Sequence, residues 1–189
     1  MTSPRRIGAT DSKTREALLD AAERLLLDDG YAAVTSRRVA AAAGLKPQLV
    51  HYYFRTMDDL FVEVLRRNAD ASLAHAERVL AADGSLAALW SLNNDPRGAR
   101  FLVEMAALAN HRKDIRAEIA RYAKRNRALQ LKALKAALPE GTIPPMVALV
   151  LMTGLGQVMG IEQALGVTEG HAATRAFVAD AIARLDAEP

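Results

Sequence analysis

Residues 35–60 read TSRRVAAAAGLKPQLVHYYFRTMDDL, and this stretch says the most about the fold. Thr35 is a good N-cap because its hydroxyl can accept a backbone N–H of the first helical turn. The spacing of apolar residues predicts a short helix over Ser36–Ala43, and Gly44 suits the left-handed residue that ends a helix. The chain must therefore turn at Gly44.

A second short helix is predicted directly after this turn. Lys46 and Pro47 restart the helix, since proline at the first helical position loses an N–H that would have no partner anyway. We expect the helix itself over Gln48–Phe54. Two short helices around a glycine turn are typical of a helix-turn-helix, which is a DNA-binding motif.

The second helix carries hydrogen-bonding and aromatic groups where a core helix would carry aliphatic ones. No Asp or Glu occurs from Gly30 to Met57, whereas four basic residues give this stretch a charge of +4: Arg37, Arg38, Lys46 and Arg55. A phosphate backbone requires such a local excess of cations, and a polar helix fits the major groove. The alternative is that Tyr52-Tyr53-Phe54 packs under a neighbouring helix.

Several of these residues together resemble the TetR family of transcriptional regulators: Gly44-Leu45, Val50, Tyr53-Phe54 and Asp59-Leu60. The resemblance extends upstream over Thr14–Gly30 and downstream along a long fourth helix from Met57 to about Ala82. It implies an all-α protein in which an N-terminal three-helix head with a helix-turn-helix is joined to a helical ligand-binding and dimerisation domain. We place the head, with a flexible basic N-terminal arm, at residues 1–55 and the second domain at residues 56–189.

The resemblance also implies a set of DNA contacts. Ser36 is expected on a phosphate and Arg37 in the groove, where arginine suits guanine. Pro47, Gln48 and His51 are expected near bases, with glutamine suited to adenine. The residues expected nearer the phosphates are Tyr52, Tyr53 and Arg55. Two positions depart from the family pattern. Lys46 stands where the family usually has a Ser or Thr cap, and Leu49 stands where it often has a Thr that contacts phosphate. Lys46 can itself reach a phosphate.

Composition agrees with a DNA-binding protein whose basic charge is local. The chain has 189 residues, 51% of them hydrophobic, and a net charge of only +3. Because there is no cysteine, a disulfide framework and a thiolate metal site are excluded. The first residues, MTSPRRIGATDSK, contain Arg5, Arg6 and Lys13 but no hydrophobic segment, so we expect a solvated basic arm, or less often a minor-groove contact, and a cytoplasmic protein.

The segment from Gly141 to Ile161 has no charged residue, and its sequence is similar to that of a membrane span and to that of a dinucleotide-binding loop. It is long enough for a membrane span, but it contains two prolines and four glycines and lacks flanking positive clusters. Its glycine motif, Gly154 to Gly160, lacks the preceding strand that a dinucleotide-binding loop needs. We expect instead a helix buried on nearly all sides, in which the glycines let another helix approach closely.

The last two helices are expected to form the dimer. Thr174–Leu185 carries an apolar stripe of Phe177, Val178, Ala181, Ile182 and Leu185. The resemblance implies that this helix and the one before it pair with their copies in a homodimer, which would place two recognition helices on a palindromic operator.

A small-molecule effector is also implied by the resemblance, and six residues of the middle helices are candidates to line its pocket: Trp90, Phe101, Glu104, Met105, Met152 and Met159. Their side chains favour an apolar or aromatic effector. The alternative is that these residues are ordinary core.

No catalytic constellation is evident, because the four histidines are scattered without ligand spacing. We therefore expect neither an enzyme nor a metal or cofactor site. The sequence predicts a DNA-binding transcriptional regulator, a repressor released from its operator by the effector. Two alternatives remain open: an architectural DNA-binding protein without an effector, and a small nucleotide-binding helical enzyme.

Overall fold

The computed structural model describes residues 9–141 and 143–187 of the chain. Over these ranges the regular structure is entirely helical, which confirms the all-α fold expected from the sequence. The helices are α1 (Ala9–Asp29), α2 (Ser36–Ala42), α3 (Pro47–Tyr53), α4 (Met57–Ala82), α5 (Leu86–Leu92), α6 (Pro96–Ala109), α7 (Lys113–Ala137), α8 (Pro145–Ala164) and α9 (His171–Ala187). A short 3-10 helix, Tyr31–Ala33, lies between α1 and α2.

Some helix bounds differ from those expected. Helix α1 begins at Ala9 rather than at Thr14, since nothing in residues 9–13 is a glycine or proline that would stop it. Part of the expected N-terminal arm is therefore helical, and the rest of it, residues 1–8 with Arg5 and Arg6, lies outside the described residues. Helix α9 likewise begins three residues before Thr174, at His171.

The described chain divides into two compact units. Unit 1 comprises the residues up to Arg67 together with Glu104–Glu118, and unit 2 comprises Asn68–Val103 and the residues from Ile119 onward. The buried apolar residues of unit 1 come from α1 to α4, the end of α6 and the start of α7: Leu18, Leu26, Val39, Val50, Phe54, Leu60, Val64, Met105, Leu108 and Ile115. The functional division at residue 55 stays a prediction.

Helices α1 and α4 are joined across unit 1 by a group of ion pairs. The guanidinium of Arg67 donates to Asp20 at 2.7 Å and to Glu23 at 2.8 Å, and Arg15 donates to Glu63 at 2.5 Å. Arg15 also lies over the ring of Phe54, 5.3 Å from its centroid. Such half-exposed pairs contribute little individually, but they fix how α1 lies along α4.

Unit 2 has its own core, formed where α5, α7 and α8 meet. The buried residues of this cluster are Leu86, Leu89, Leu134, Ala148 and Leu149. Ile182 and Leu185 of α9 pack against the same cluster. Two residues of the expected dimer stripe are therefore half-buried within their own chain.

The expectation that α8 is buried on nearly all sides is wrong. Of its most apolar 18-residue window only 28% is buried within the chain, and this is the one described helix that is long and apolar enough to cross a membrane. Gly156 and Gly160 do allow close approach, to Asn93 and Ala99 respectively. All three glycines of the motif lie inside a helix, so the segment forms no phosphate-binding loop.

Candidate nucleic-acid interface

Helix α2 is capped at both ends as its sequence predicts. The Oγ1 atom of Thr35 accepts a hydrogen bond from the backbone N–H of Arg38 at 3.3 Å. After α2, Gly44 has φ = +68°, and the N–H of Leu45 donates to the carbonyl of Ala40 at 2.8 Å. A residue with a side chain is strained at such a φ, so Gly44 sets the direction in which α3 departs.

Helix α3 starts at Pro47 and ends at Tyr53, one residue earlier at each end than expected. Lys46 precedes it in an extended conformation and provides no side-chain cap, in keeping with its departure from the family pattern. One side of the helix is fixed in the core, because Val50 is 1% exposed and Phe54, immediately after the helix, is 2% exposed. The opposite side is thereby held towards solvent.

Most of the residues expected to contact DNA are exposed to solvent. Seven of them are exposed: Arg37, Lys46, Pro47, Gln48, His51, Tyr52 and Arg55. Ser36 and Tyr53 are half-buried. Most of the predicted residues are thus accessible to a partner, and both their shared surface and their individual DNA contacts stay predictions.

The aromatic triplet divides between the two sides of α3. Phe54 enters the core, whereas Tyr52 remains 57% exposed. The rings of Tyr52 and Tyr53 meet edge to face, with centroids 4.9 Å apart. The alternative that these aromatic residues pack under a neighbouring helix is therefore correct for Phe54, whereas Tyr52 is available to a partner.

The two neighbouring arginines of α2 have different surroundings. The guanidinium of Arg38 pairs with Asp29 at the end of α1. Arg37 is exposed, and within residues 9–141 and 143–187 the structure gives its side chain no hydrogen bond or ion pair. Of the two, Arg37 has the guanidinium that can reach an incoming phosphate or base without first breaking an ion pair.

The start of α4 contains a reciprocal cap that was not predicted from the sequence. The N–H of Thr56 donates to Asp59 Oδ2, and the N–H of Asp59 donates to Thr56 Oγ1, each at 3.0 Å. The signal is the spacing Thr-x-x-Asp, which satisfies two helix-terminal N–H groups at once. This cap fixes the backbone directly after Arg55.

Comparison with known proteins agrees with this geometry. Residues 18–64 match the family model described as "Bacterial regulatory proteins, tetR family". This match is confined to the N-terminal part of the chain. The resemblance drawn from Gly44 to Leu60 is thereby confirmed, and the match covers α2, α3 and the start of α4.

Two regulators show the same similarity in sequence. The chain is 42% identical over 52 residues to the HTH-type transcriptional regulator BetI of Rhizobium meliloti (strain 1021), covering 28% of this chain and 26% of BetI. It is 40% identical over 78 residues to the HTH-type transcriptional repressor LfrR of Mycolicibacterium smegmatis, covering 41% of this chain and 40% of LfrR. The similarity thus spans well under half the length of these curated relatives.

The fold is shared with a solved structure over much more of the chain than the sequence similarity covers. A TetR transcription regulator from Haloarcula marismortui has a TM-score of 0.73 to this chain at 19% identity, covering 92% of this chain and 98% of that one. The TetR-family similarity in sequence therefore lies in the head, and the all-helical fold of the remainder is shared without close sequence similarity.

The residues expected at the effector pocket are not gathered in one unit. Phe101, Met105 and Met159 are buried, whereas Trp90, Glu104 and Met152 are half-buried. Glu104 and Met105 belong to unit 1, and the other four belong to unit 2. The carboxylate of Glu104 accepts a hydrogen bond from the backbone N–H of Tyr31. The effector pocket stays a prediction for this chain.

The expected dimer stripe of α9 is only partly exposed. Phe177 is 70% exposed, while Val178, Ala181, Ile182 and Leu185 are half-buried. The larger apolar surface is on α8 and the turn after it: Met146, Val147, Val150, Leu151, Leu155, Val158, Ile161, Leu165 and Val167 are each at least 39% exposed. The nearly continuous apolar composition of residues 143–161 hid this face, because the segment carries no charged residue to mark the solvent side.

Proposed function

We propose that the protein is a sequence-specific DNA-binding transcriptional regulator that acts as a homodimer in the cytoplasm. The observation that carries the proposal is the exposed side of α3, where Gln48, His51 and Tyr52 face solvent while Val50 anchors the helix in the core. A short, rigidly held helix with hydrogen-bonding side chains on its free side is suited to the major groove.

The charges around this helix favour a phosphate backbone as partner. Lys46 and Arg55 lie just before and just after α3 in the chain, and Arg37 is exposed on α2, which packs on α3. The sequence from Gly30 to Met57 contains no carboxylate. Cations at the edge of a reading helix bind phosphates and fix its register, while base contacts supply the specificity. We assign Gln48 and Arg37 to bases and Arg55 to a phosphate.

Dimerisation is proposed from the exposed apolar face of α8. Val147, Leu151, Gly154, Val158 and Ile161 recur at alternating intervals of four and three residues, which places them along one side of the helix. Monomeric proteins seldom leave so large an apolar face in water. Pairing this face and Phe177 with a second copy would bury it and give the twofold symmetry that a palindromic operator requires.

Repression and its release by a small apolar or aromatic effector are proposed from the TetR-family resemblance. One of the similar proteins, LfrR of Mycolicibacterium smegmatis, is a repressor, which supports repression rather than activation. An effector can release DNA only if it binds the DNA-free conformation more tightly than the DNA-bound one. The proposed pocket residues belong to α5, α6 and α8.

The proposal is tested by selecting duplexes from a random pool with the full-length protein. We expect enrichment of an inverted repeat whose half-sites are centred about 34 to 36 Å apart, as a twofold-symmetric pair of recognition helices requires. A variant in which Gln48 and Arg37 are both alanine serves as the control and should enrich a less constrained sequence. Failure of the wild-type protein to enrich any sequence would refute the proposed function.

A further inference from the structure

A carboxylate from α6 holds the turn between α1 and α2. The backbone N–H of Tyr31, at the start of the 3-10 helix, donates to Glu104 Oε2 at 2.8 Å. Gly30 precedes this helix and has no side chain with which to cap it. The acceptor that the first N–H requires is instead supplied from a residue 73 positions further along the chain.

Gly30 is suited to this arrangement for two separate reasons. Its φ is +81°, a conformation that residues with a side chain rarely adopt. A β carbon at this position would also lie 3.4 Å from Glu104 Oε2, so the carboxylate rests directly against the glycine. The turn and the carboxylate are therefore fitted to each other in shape as well as in hydrogen bonding.

The same segment of chain contacts α4 at two further points within unit 1. Arg112 Nε donates to Asp58 Oδ1 in the first turn of α4 at 2.7 Å. Further along, Arg66 of α4 donates to the buried carboxylate of Glu118, with Nε at 2.8 Å. Residues 104–118 accordingly fall in the same compact unit as the helix-turn-helix.

We propose that residues 104–118 are a structural part of the DNA-binding head, and that Glu104 is a positioning residue for the recognition helix. This inference rests on the proposed DNA-binding function. The hydrogen bond of Glu104 is to the turn before α2 and not to α3 itself, so its influence on α3 passes through that turn.

The route from Glu104 to the recognition helix is short and is formed by backbone hydrogen bonds. Within the 3-10 helix, the N–H of Val34 donates to the carbonyl of Tyr31 at 3.1 Å, and the next residue, Thr35, caps α2. Helix α2 packs directly on α3 through the motif described above. Loss of the hydrogen bond to Tyr31 would therefore let the start of α2 move, and α3, which packs on α2, would move with it.

The test uses the full chain and the duplex that the wild-type protein selects from a random pool. Glu104→Leu should weaken binding to that duplex by up to about tenfold, because DNA binding would then also have to order the turn that one hydrogen bond to a charged acceptor holds in the wild type. Glu104→Gln keeps an acceptor oxygen and should restore most of the affinity. Glu77, an exposed residue of α4, provides the matched control, and Glu77→Leu should bind as the wild type does.

Amide hydrogen exchange separates positioning from general unfolding. In Glu104→Leu the Tyr31 amide should exchange faster, while the amide of Phe54, which donates to Val50 within the motif, keeps its wild-type protection. Wild-type affinity of Glu104→Leu for the selected duplex would overturn the inference and leave the proposed function intact. A wild-type protein that selects no duplex would instead overturn the proposed function, and the inference with it.

Discussion

Gly156 lies in direct backbone contact with Asn93. A β carbon added to Gly156 would be 1.8 Å from the carbonyl oxygen of Asn93, far inside van der Waals contact. Asn93 cannot easily move away, because its side-chain amide donates to the carbonyl of Leu89 at 2.8 Å and to Gln130 at 2.7 Å. The Oδ1 atom of the same residue accepts a hydrogen bond from Thr153.

Gly156→Ala should therefore destabilise the protein even though alanine is the better helix former. Overpacking of a rigid contact costs about 1 to 3 kcal/mol, which exceeds the roughly 1 kcal/mol gained in helix propensity. The measurement is the free energy of unfolding in urea. An unfolding free energy of Gly156→Ala equal to that of the wild type would contradict this packing.

The Thr35 cap predicts a modest and local stability loss. Thr35→Ala removes the acceptor for the N–H of Arg38 and should lower the free energy of unfolding by about 1 kcal/mol. Thr35→Ser keeps the hydroxyl and should stay close to the wild type. Equal losses in the two variants would show that the methyl group, and not the cap, is what matters at this position.

Dimerisation through α8 predicts that a charge on its exposed face separates the subunits. Val158 is 53% exposed, so Val158→Asp should leave the subunit folded and give a monomer mass by light scattering. Ile182 is a poorer site for this test because it packs against the core of its own chain. Val103, an apolar residue of α6 that is 42% exposed, is the matched control, and Val103→Asp should remain dimeric. A dimer mass for Val158→Asp would count against this face.

The sequence predicts the head well because its features are local. Thr35, Gly44 and Pro47 each act on their own turn of backbone, so their roles follow from residue type and spacing alone. The same is true of the Thr56–Asp59 cap, which its spacing could have revealed. Local basic charge is a less specific signal, since residues 119–137 of α7 carry six basic residues and no acidic one.

The features that the sequence left undetermined depend on residues far apart in the chain. Nothing local shows that Glu104 caps the turn at Tyr31, because the two are brought together only by the packing of unit 1. Nor does an unbroken apolar run reveal which side of α8 packs on Asn93 and which faces outward. The proposed effector pocket would be of the same kind, since its candidate residues are far apart in the chain.

Arg55 provides a test of phosphate binding that is independent of sequence preference. It is exposed beside α3, and Arg55→Ala should weaken binding to all duplexes alike. Because this variant has one cation fewer for the phosphates, the slope of log affinity against log salt concentration should become shallower by about one. Fluorescence anisotropy over a series of salt concentrations gives this slope. An unchanged slope would show that Arg55 binds no phosphate.

The reading of bases by α3 underlies the proposed function, and its most direct test is the affinity of Gln48→Ala for single-base-pair variants of the selected duplex. We expect this variant to lose discrimination at one base pair in each half-site, by about 1 to 3 kcal/mol, and to keep the wild-type preference at every other position. Retention of the full wild-type preference at every base pair would contradict base reading by Gln48.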